Sequence, residues 1–151
     1  MHFRKICQKD SDEIYNLKKE IFPQGEYQSE SENKKHCESE NGICCLNDKN
    51  KIIGFFMFFY YPHEITEKLV LTITTFGIKK ENRNKGVGKE LFLRGIFILK
   101  KYDLYLHVRK SNLYAINMYK SVGFEEIFKI KNYYSWTSEN EDALYFEKKN
   151  K

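Results

Sequence analysis

Arg83-Asn84-Lys85-Gly86-Val87-Gly88 is the stretch from which the rest of the chain is read. An apolar run at 69–78 precedes it and reads as a strand. Apolar positions from Val87 to about Lys101 then repeat with helical period. Two glycines in three residues at a strand-to-helix junction bring backbone close to something bulky. The first amides of the helix have no intrahelical partner, and the helix dipole is positive there. Lys79, Lys80, Arg83, Lys85 and Lys89 crowd the same turn. These features describe a phosphate-binding loop at a helix N-terminus, and equally a glycine-rich turn with a solvated basic face. Two common loops fail on residues. A P-loop ending at Gly88-Lys89 has Arg83 at its first glycine and Glu90 at its hydroxyl position. A dinucleotide fingerprint starting at Gly86 has Leu91 at its third glycine.

Upstream, 2–7 reads as a strand. Asp10 or Ser11 caps a helix, with Glu13 completing a capping box from Asp10 and Ile14, Leu17 and Ile21 on its buried face. Pro23 and Gly25 end that helix. The polar stretch 30–40 is a weak second helix or a loop, and strands at 42–46 and 51–61 form a hairpin around the turn 47–50. In the helix after the glycine loop, Val87, Leu91, Gly95, Ile98 and Tyr102 share a face that Phe92, Ile96 and Leu99 widen. Further on come a strand at 103–108, a helix capped by Ser111 or Asn112 that carries Ala115, Met118, Tyr119 and Val122, Gly123 as its C′ residue, and closing strands at 124–136 and 142–148. This order predicts a single α/β (α+β) domain over 1–151, with a mixed sheet and helices on both faces.

The chain has 151 residues, 41% hydrophobic and 16% aromatic, enough for a globular core. Its net charge of +5 suits an anionic cofactor or proximity to the ribosome, as well as a plain solvated surface. An RNP1-type strand and a GXXG loop are absent, so no nucleic-acid motif is read. Cys7, Cys37, Cys44 and Cys45 lack metal-site spacing, so no metal is expected and a reduced, cytoplasmic setting fits. No apolar signal region opens the sequence, and the longest apolar run, 52–61, is too short to span a bilayer.

The loop's R-x-x-G-x-G pattern resembles the pyrophosphate-binding motif of GNAT acetyltransferases. More specific is the block Leu104-Tyr105-Leu106-His107-Val108, Ser111-Asn112, Ala115-Ile116-Asn117-Met118-Tyr119 and Gly123-Phe124. It resembles the Y-L-H-V…N…A-I-x-x-Y…G-F block of N-terminal acetyltransferases. Lys131-Asn132-Tyr133-Tyr134 is similar to their K-N-Y-Y hairpin, and Ile21-Phe22-Pro23 to their I-F-P substrate loop. Among these enzymes the chain most resembles the NatE catalytic subunit, which acetylates N-termini that retain methionine. The related Golgi type, NatF, has a membrane-binding C-terminal extension that 148–151 does not supply.

The resemblance implies a GNAT fold, a mostly antiparallel mixed sheet, and acetyl-CoA as cofactor. It implies a protein N-terminal peptide as acceptor and other N-terminal acetyltransferase subunits at the ribosome as partners. Gly77, Ile78, Arg83, Asn84, Lys85, Gly86, Val87, Gly88 and Lys89 would bind the cofactor. The Ile78 amide and an adjoining bulge would polarise the thioester carbonyl. Asn112 and Asn117 would contact the cofactor, though the first is also an N-cap and the second could be solvated. Tyr119, otherwise a core aromatic, would face the sulfur and protonate the thiolate. Phe22, Pro23, Tyr27, Tyr133 and Tyr134 would hold the substrate. As read, 124–136 is a strand, so Tyr133 and Tyr134 alternate and one of them faces a given site.

His107 lies mid-strand and reads as a satisfied core group or, by the resemblance, as general base through a water. The chemistry is suitable, since an α-amine has a pKa of about 8 and a histidine titrates near ~6.5. Lysine, near ~10.4, demands far more deprotonation. Thr72 stands where the family has a tyrosine that shares the base role, so at most it positions a water. The loop Gln24-Gly25-Glu26-Tyr27 has one residue more than the family pattern. The vicinal Cys44-Cys45 reads as buried strand rather than nucleophile. A lysine or small-amine acetyltransferase and a non-catalytic acetyl-CoA binder are the alternatives.

Overall fold

Every residue of strand β2 (Gly42–Leu46) is buried, which requires cover on both faces of its sheet. The computed structural model describes residues 1–23, 26–135 and 140–150 and shows where that cover comes from. Ile43 and Cys45 join one apolar cluster, while Cys44 and Leu46 join a second, as the two-residue period of a strand dictates. The first cluster takes in Val87, Leu91 and Phe92 of α3 (Val87–Ile98) and Ala115, Ile116, Met118 and Tyr119 of α4 (Leu113–Ser121). The second takes in Ile14 and Leu17 of α1 (Ser11–Ile21) and Cys37 of α2 (Glu30–Glu38).

The remaining strands are β1 (His2–Lys5), β3 (Ile52–Pro62), β4 (Leu69–Ile78), β5 (Leu104–Arg109), β6 (Glu125–Ile130) and β7 (Ala143–Lys148). They form one sheet in the order β1-β2-β3-β4-β5-β7-β6. All neighbours are antiparallel except β4 and β5, whose parallel crossover is α3, as a parallel connection requires. That parallel pair holds over only Leu71↔Leu104 and Thr72↔Tyr105. Beyond it the strands part and the sheet opens. On its other edge β4 stays paired to β3 as far as Gly54↔Ile78, with a bulge at Thr74, whose hydroxyl donates to the Met57 carbonyl at 3.3 Å.

Several local expectations are revised. Asp10 does not cap α1 with its side chain. Its carboxylate takes a two-pronged bond from Arg4, 2.8 Å in each arm, and accepts the Cys7 N–H at 2.9 Å. Glu13 reaches the Ile52 N–H at 2.8 Å rather than closing a capping box. The stretch 30–40 does form a helix, because Ser29 caps it through the Glu32 N–H. α3 ends at Ile98, and both Ile98 (53% exposed) and Tyr102 (50%) face outward. β6 ends at Ile130, so Tyr133 and Tyr134 lie in a turn and do not alternate on a strand. Trp136 lies outside the described residues. No helix among the described residues is long and apolar enough to cross a membrane.

Candidate functional site

Where β4 and β5 separate, a cleft of about 750 Å³ opens between them, floored by Met118 and Tyr119 of α4. One bank is the C-terminal half of β4 and the loop into α3. Lys79 N–H donates to the Ile53 carbonyl across on β3 at 2.8 Å. Strand alternation therefore turns the Ile78 N–H toward the open edge. Gly86 is the N-cap of α3 with φ +79°, a left-handed conformation that L side chains resist, and a Cβ there meets nothing within 4 Å. The Arg83 Nε donates to the Ile78 carbonyl at 2.9 Å, which ties the loop to the end of β4. The unpaired first-turn amides of α3, a backbone kept bare at Gly86 and the surrounding cations make a cradle for a phosphate chain.

The opposite bank is β5 with segments folded against it. His107 faces the cleft, and its Nε2 lies 2.7 Å from Glu64 Oε1. Its ring stacks on Tyr133 at 4.5 Å and 9° and leans on Tyr145 at 4.8 Å. Burial pushes the imidazole below its ordinary range, and the Glu64 carboxylate only partly offsets this. His107 is therefore neutral near pH 7. Two residues along the strand, Arg109 forms an ion pair with Glu26, both side chains nearly buried (12% and 11% exposed). Its other arm lies 3.6 Å from Glu141, and its guanidinium stacks on Tyr134 at 4.3 Å. Glu141 accepts both the Ser111 hydroxyl (2.6 Å) and the Ser111 N–H (2.8 Å), which hold its carboxyl below the usual range. Phe22, Pro23 and Ile21 close this end. Gly77 is closely packed here: a Cβ on it would stand 2.3 Å from the tip of Ile21, 3.1 Å from Phe55 and 3.3 Å from Phe22, so the Ile21 side chain would have to shift. Burial holds the Tyr119 hydroxyl well above its ordinary range, so it stays protonated.

Most residues expected at a site are brought to this one cleft: Phe22, Pro23, Gly77, Ile78, Arg83, Asn84, Gly86, Gly88, His107, Asn112, Tyr119 and Tyr134 line it. Tyr133 joins through His107. Others do not line it. Thr72 is buried, with its hydroxyl donating to the Val70 carbonyl at 3.3 Å. Tyr27 packs edge-on against Tyr15 at 6.0 Å. Asn117 is exposed on α4, and Val87 belongs to the core. The side chains of Lys85 and Lys89 point to solvent. The oxygen of Asn112 caps α4 through the Ala115 N–H at 3.2 Å. Gln24 and Gly25 lie outside the described residues. Cys37, Cys44 and Cys45 are buried, and burial pushes the Cys44 thiol up to about 12, far from a thiolate.

Sequence reading missed Glu64, Glu26, Arg109 and Glu141. Glu64 and His107 are 43 positions apart, and Glu26 and Arg109 are 83 apart. No local pattern links them. The one local signal was an arginine two residues past the histidine on the same strand.

Known proteins are similar to this chain in part of its sequence or in its fold. The [ribosomal protein bS18]-alanine N-acetyltransferase of Escherichia coli is 36% identical over 76 residues, 48% of this chain and 51% of that protein. An N-alpha-acetyltransferase of Sulfurisphaera tokodaii is 32% identical over 75 residues, 47% of this chain and 43% of the other. The chain thus spans about half the length of the curated relatives it matches. Arabidopsis thaliana NAA60 in complex with acetyl-CoA superposes with a TM-score of 0.82 over 97% of both chains, at 21% identity. A sequence model of the acetyltransferase (GNAT) family matches residues 11–124, from the start of α1 through the cleft floor and ending just before β6. A sheet split at β4 and β5, with a bare helix N-terminus on one bank, is therefore the form that family takes in this chain, which belongs to the GNAT acetyltransferases.

Proposed function

We propose that the protein transfers acetyl from acetyl-CoA to the α-amino group of a protein N-terminus, in a direct attack within a ternary complex. The observation that carries this reading is the pairing across one cleft of a phosphate cradle with a neutral, desolvated histidine. Acetyl-CoA, the cofactor of the family, supplies the acetyl group as an activated thioester. The first-turn amides of α3, the loop at Gly86 and Gly88, and Arg83 hold its pyrophosphate. The Ile78 N–H, turned toward the open edge, donates to the thioester carbonyl as negative charge develops there. His107 takes the amine proton, directly or through a water, and Tyr119 carries a proton available to the departing sulfur. Holding both reactants in one cleft supplies much of the rate.

An imidazole below its ordinary range is matched to an α-amine near pKa ~8 and is a poor base for a lysine near ~10.4. The apolar wall of Ile21, Phe22 and Pro23 supports a large hydrophobic first residue, as in NatE-type Met-hydrophobic termini. A cationic small amine would seek free carboxylates. Glu26 and Glu141 are instead committed to Arg109 and Ser111. Thr72, withdrawn from the cleft, favours the non-catalytic alternative on one count, since it leaves His107 without a second base.

The test compares acetyl-CoA turnover with a Met-Leu peptide and with spermidine. Turnover of the peptide at least about tenfold faster in kcat/KM supports the proposal. Preference for spermidine overturns the acceptor. Tight acetyl-CoA binding without turnover of either amine overturns the enzyme.

A further inference from the structure

We infer that Glu64 is the positioning residue for His107: it fixes the imidazole as the Nε2–H tautomer and thereby makes Nδ1 the atom that receives the acceptor's proton. The inference rests on the proposed role of His107 for its catalytic meaning, but its geometry stands independently.

The first observation is the bond itself. Nε2 of His107 is 2.7 Å from Glu64 Oε1, a charge-assisted distance, and an ionised carboxylate can only accept. Nε2 must therefore carry the hydrogen. Among the described residues Nδ1 makes no protein hydrogen bond, and it is the nitrogen with a free lone pair. His107 lines the cleft, whereas Glu64 is not part of its lining and is 31% exposed.

The second observation is that the connection carrying Glu64 is built to hold it. His63 Nδ1 accepts the N–H groups of Ile65 (3.1 Å) and Thr66 (3.2 Å), one on each of the two residues after Glu64. The His63 N–H donates to the Lys68 carbonyl at 2.8 Å, and the Glu67 N–H returns to His63 at 3.0 Å. The His63 ring stands edge-on to Tyr105 at 5.1 Å and Tyr145 at 5.2 Å, docking the turn onto β5 and β7. The carboxylate is thus presented from a fixed turn rather than a swinging loop.

Among the described residues, groups from three other elements pack on His107. Glu64 faces it from the β3–β4 connection, Tyr145 from β7 and Tyr133 from the turn after β6. On its own strand Arg109 is neutralised by Glu26 and Glu141. Glu64 is the anion in contact, so its charge is the one that favours imidazolium as the proton arrives.

The test uses two variants and one spectroscopic readout. Glu64→Gln keeps an acceptor for Nε2–H but removes the charge. The acidic limb of kcat/KM is expected to move to lower pH by about one unit, and kcat to fall by less than in Glu64→Ala because the tautomer is kept while the charge is lost. Glu64→Ala removes the acceptor, and kcat should fall about ten- to a hundredfold with the acetyl-CoA Kd unchanged. Long-range proton–nitrogen NMR of the protein with labelled histidines, assigned with His107→Ala, should show a pure Nε2–H form in the wild type and a mixture in Glu64→Ala. An unmoved acidic limb in Glu64→Gln, or an Nδ1–H or mixed tautomer in the wild type, overturns the inference. If no amine is acetylated the proposed function falls, and the tautomer readout still decides the role of Glu64.

Discussion

The bank of the cleft that would hold the donor is one continuous stretch, from Gly77 to Gly88, and works mainly through backbone. The bank that would hold the acceptor takes His107 and Arg109 from β5, Glu64 from the β3–β4 connection, Glu26 from beyond α1, Tyr133 and Tyr134 from the turn after β6, and Glu141 from ahead of β7. It works through side chains that neutralise and orient one another. A pyrophosphate is the same in every catalytic cycle, and repeated amides with one helix terminus suffice for it. An acceptor amine must be both bound and deprotonated, which calls for side chains of chosen pKa brought from distant segments. Loss of one atom should therefore be local on the donor bank and should spread on the acceptor bank.

The largest expected effect is on the acceptor bank. His107→Ala should lower kcat by about 10²–10⁴-fold while the acetyl-CoA Kd, read by calorimetry, stays within about twofold. A loss of donor affinity in that variant would break the division between banks. The wild-type pH profile sharpens it. Only neutral imidazole accepts a proton, and burial lowers the His107 pKa. Activity should therefore rise through a limb below about pH 6.5 and again as the α-amine deprotonates toward about pH 8.

Next is Arg109→Ala, which leaves Glu26 and Glu141 without their shared cation. Urea denaturation should show about 3 kcal/mol less stability. The matching donor-bank change, Lys85→Ala, should stay within about 0.5 kcal/mol, because that side chain is exposed.

A smaller effect lies beneath the acceptor wall. Lys18 is fully buried on α1 over the Phe55 ring, which packs on Phe22, and its amine donates to Asn33 at 2.7 Å. Burial lowers its pKa to about 8 from 10.5. Between those values the unfolded chain binds the extra proton, so this group's contribution to stability rises with pH through that window. Relative to Lys18→Met, the wild type should gain about 2 kcal/mol from pH 7.5 to 10, measured as paired denaturation curves.

The smallest is Gly86→Ala. Space is open around that Cβ within the protein, so folding loses only the left-handed backbone, about 1–2 kcal/mol, while the added methyl intrudes on the bare backbone that would face the phosphate. Acetyl-CoA affinity should weaken about tenfold with the peptide KM unmoved.

The contrast between banks also sets what could be read from the chain alone. The glycine loop, the parallel crossover and the helix carrying Tyr119 are local patterns, and they form where expected. His107 was legible as a strand residue in a recognisable block. Its partner Glu64 was not, because a turn tip becomes a neighbour only after β3, β4 and β5 assemble. Partners outside the helix likewise redirected Asp10 from cap to Arg4, six residues back, and Glu13 to β3, 39 residues on. Tyr133 and Tyr134 carried strand propensity, yet the turn, not alternation, brings both to the acceptor side. Thr72 was placed at the site by its position in a motif. The sheet buries it instead at the last paired step of β4 and β5.

The most direct measurement uses one peptide in two forms: Met-Leu at its start, one internal lysine, and the α-amine either free or blocked. Each form is incubated with acetyl-CoA, and the modified nitrogen is located by fragment mass spectrometry. The account predicts acetyl on the α-amine of the free peptide and none on the blocked one. Acetylated lysine in the blocked peptide, at a rate comparable to the free form, would contradict it.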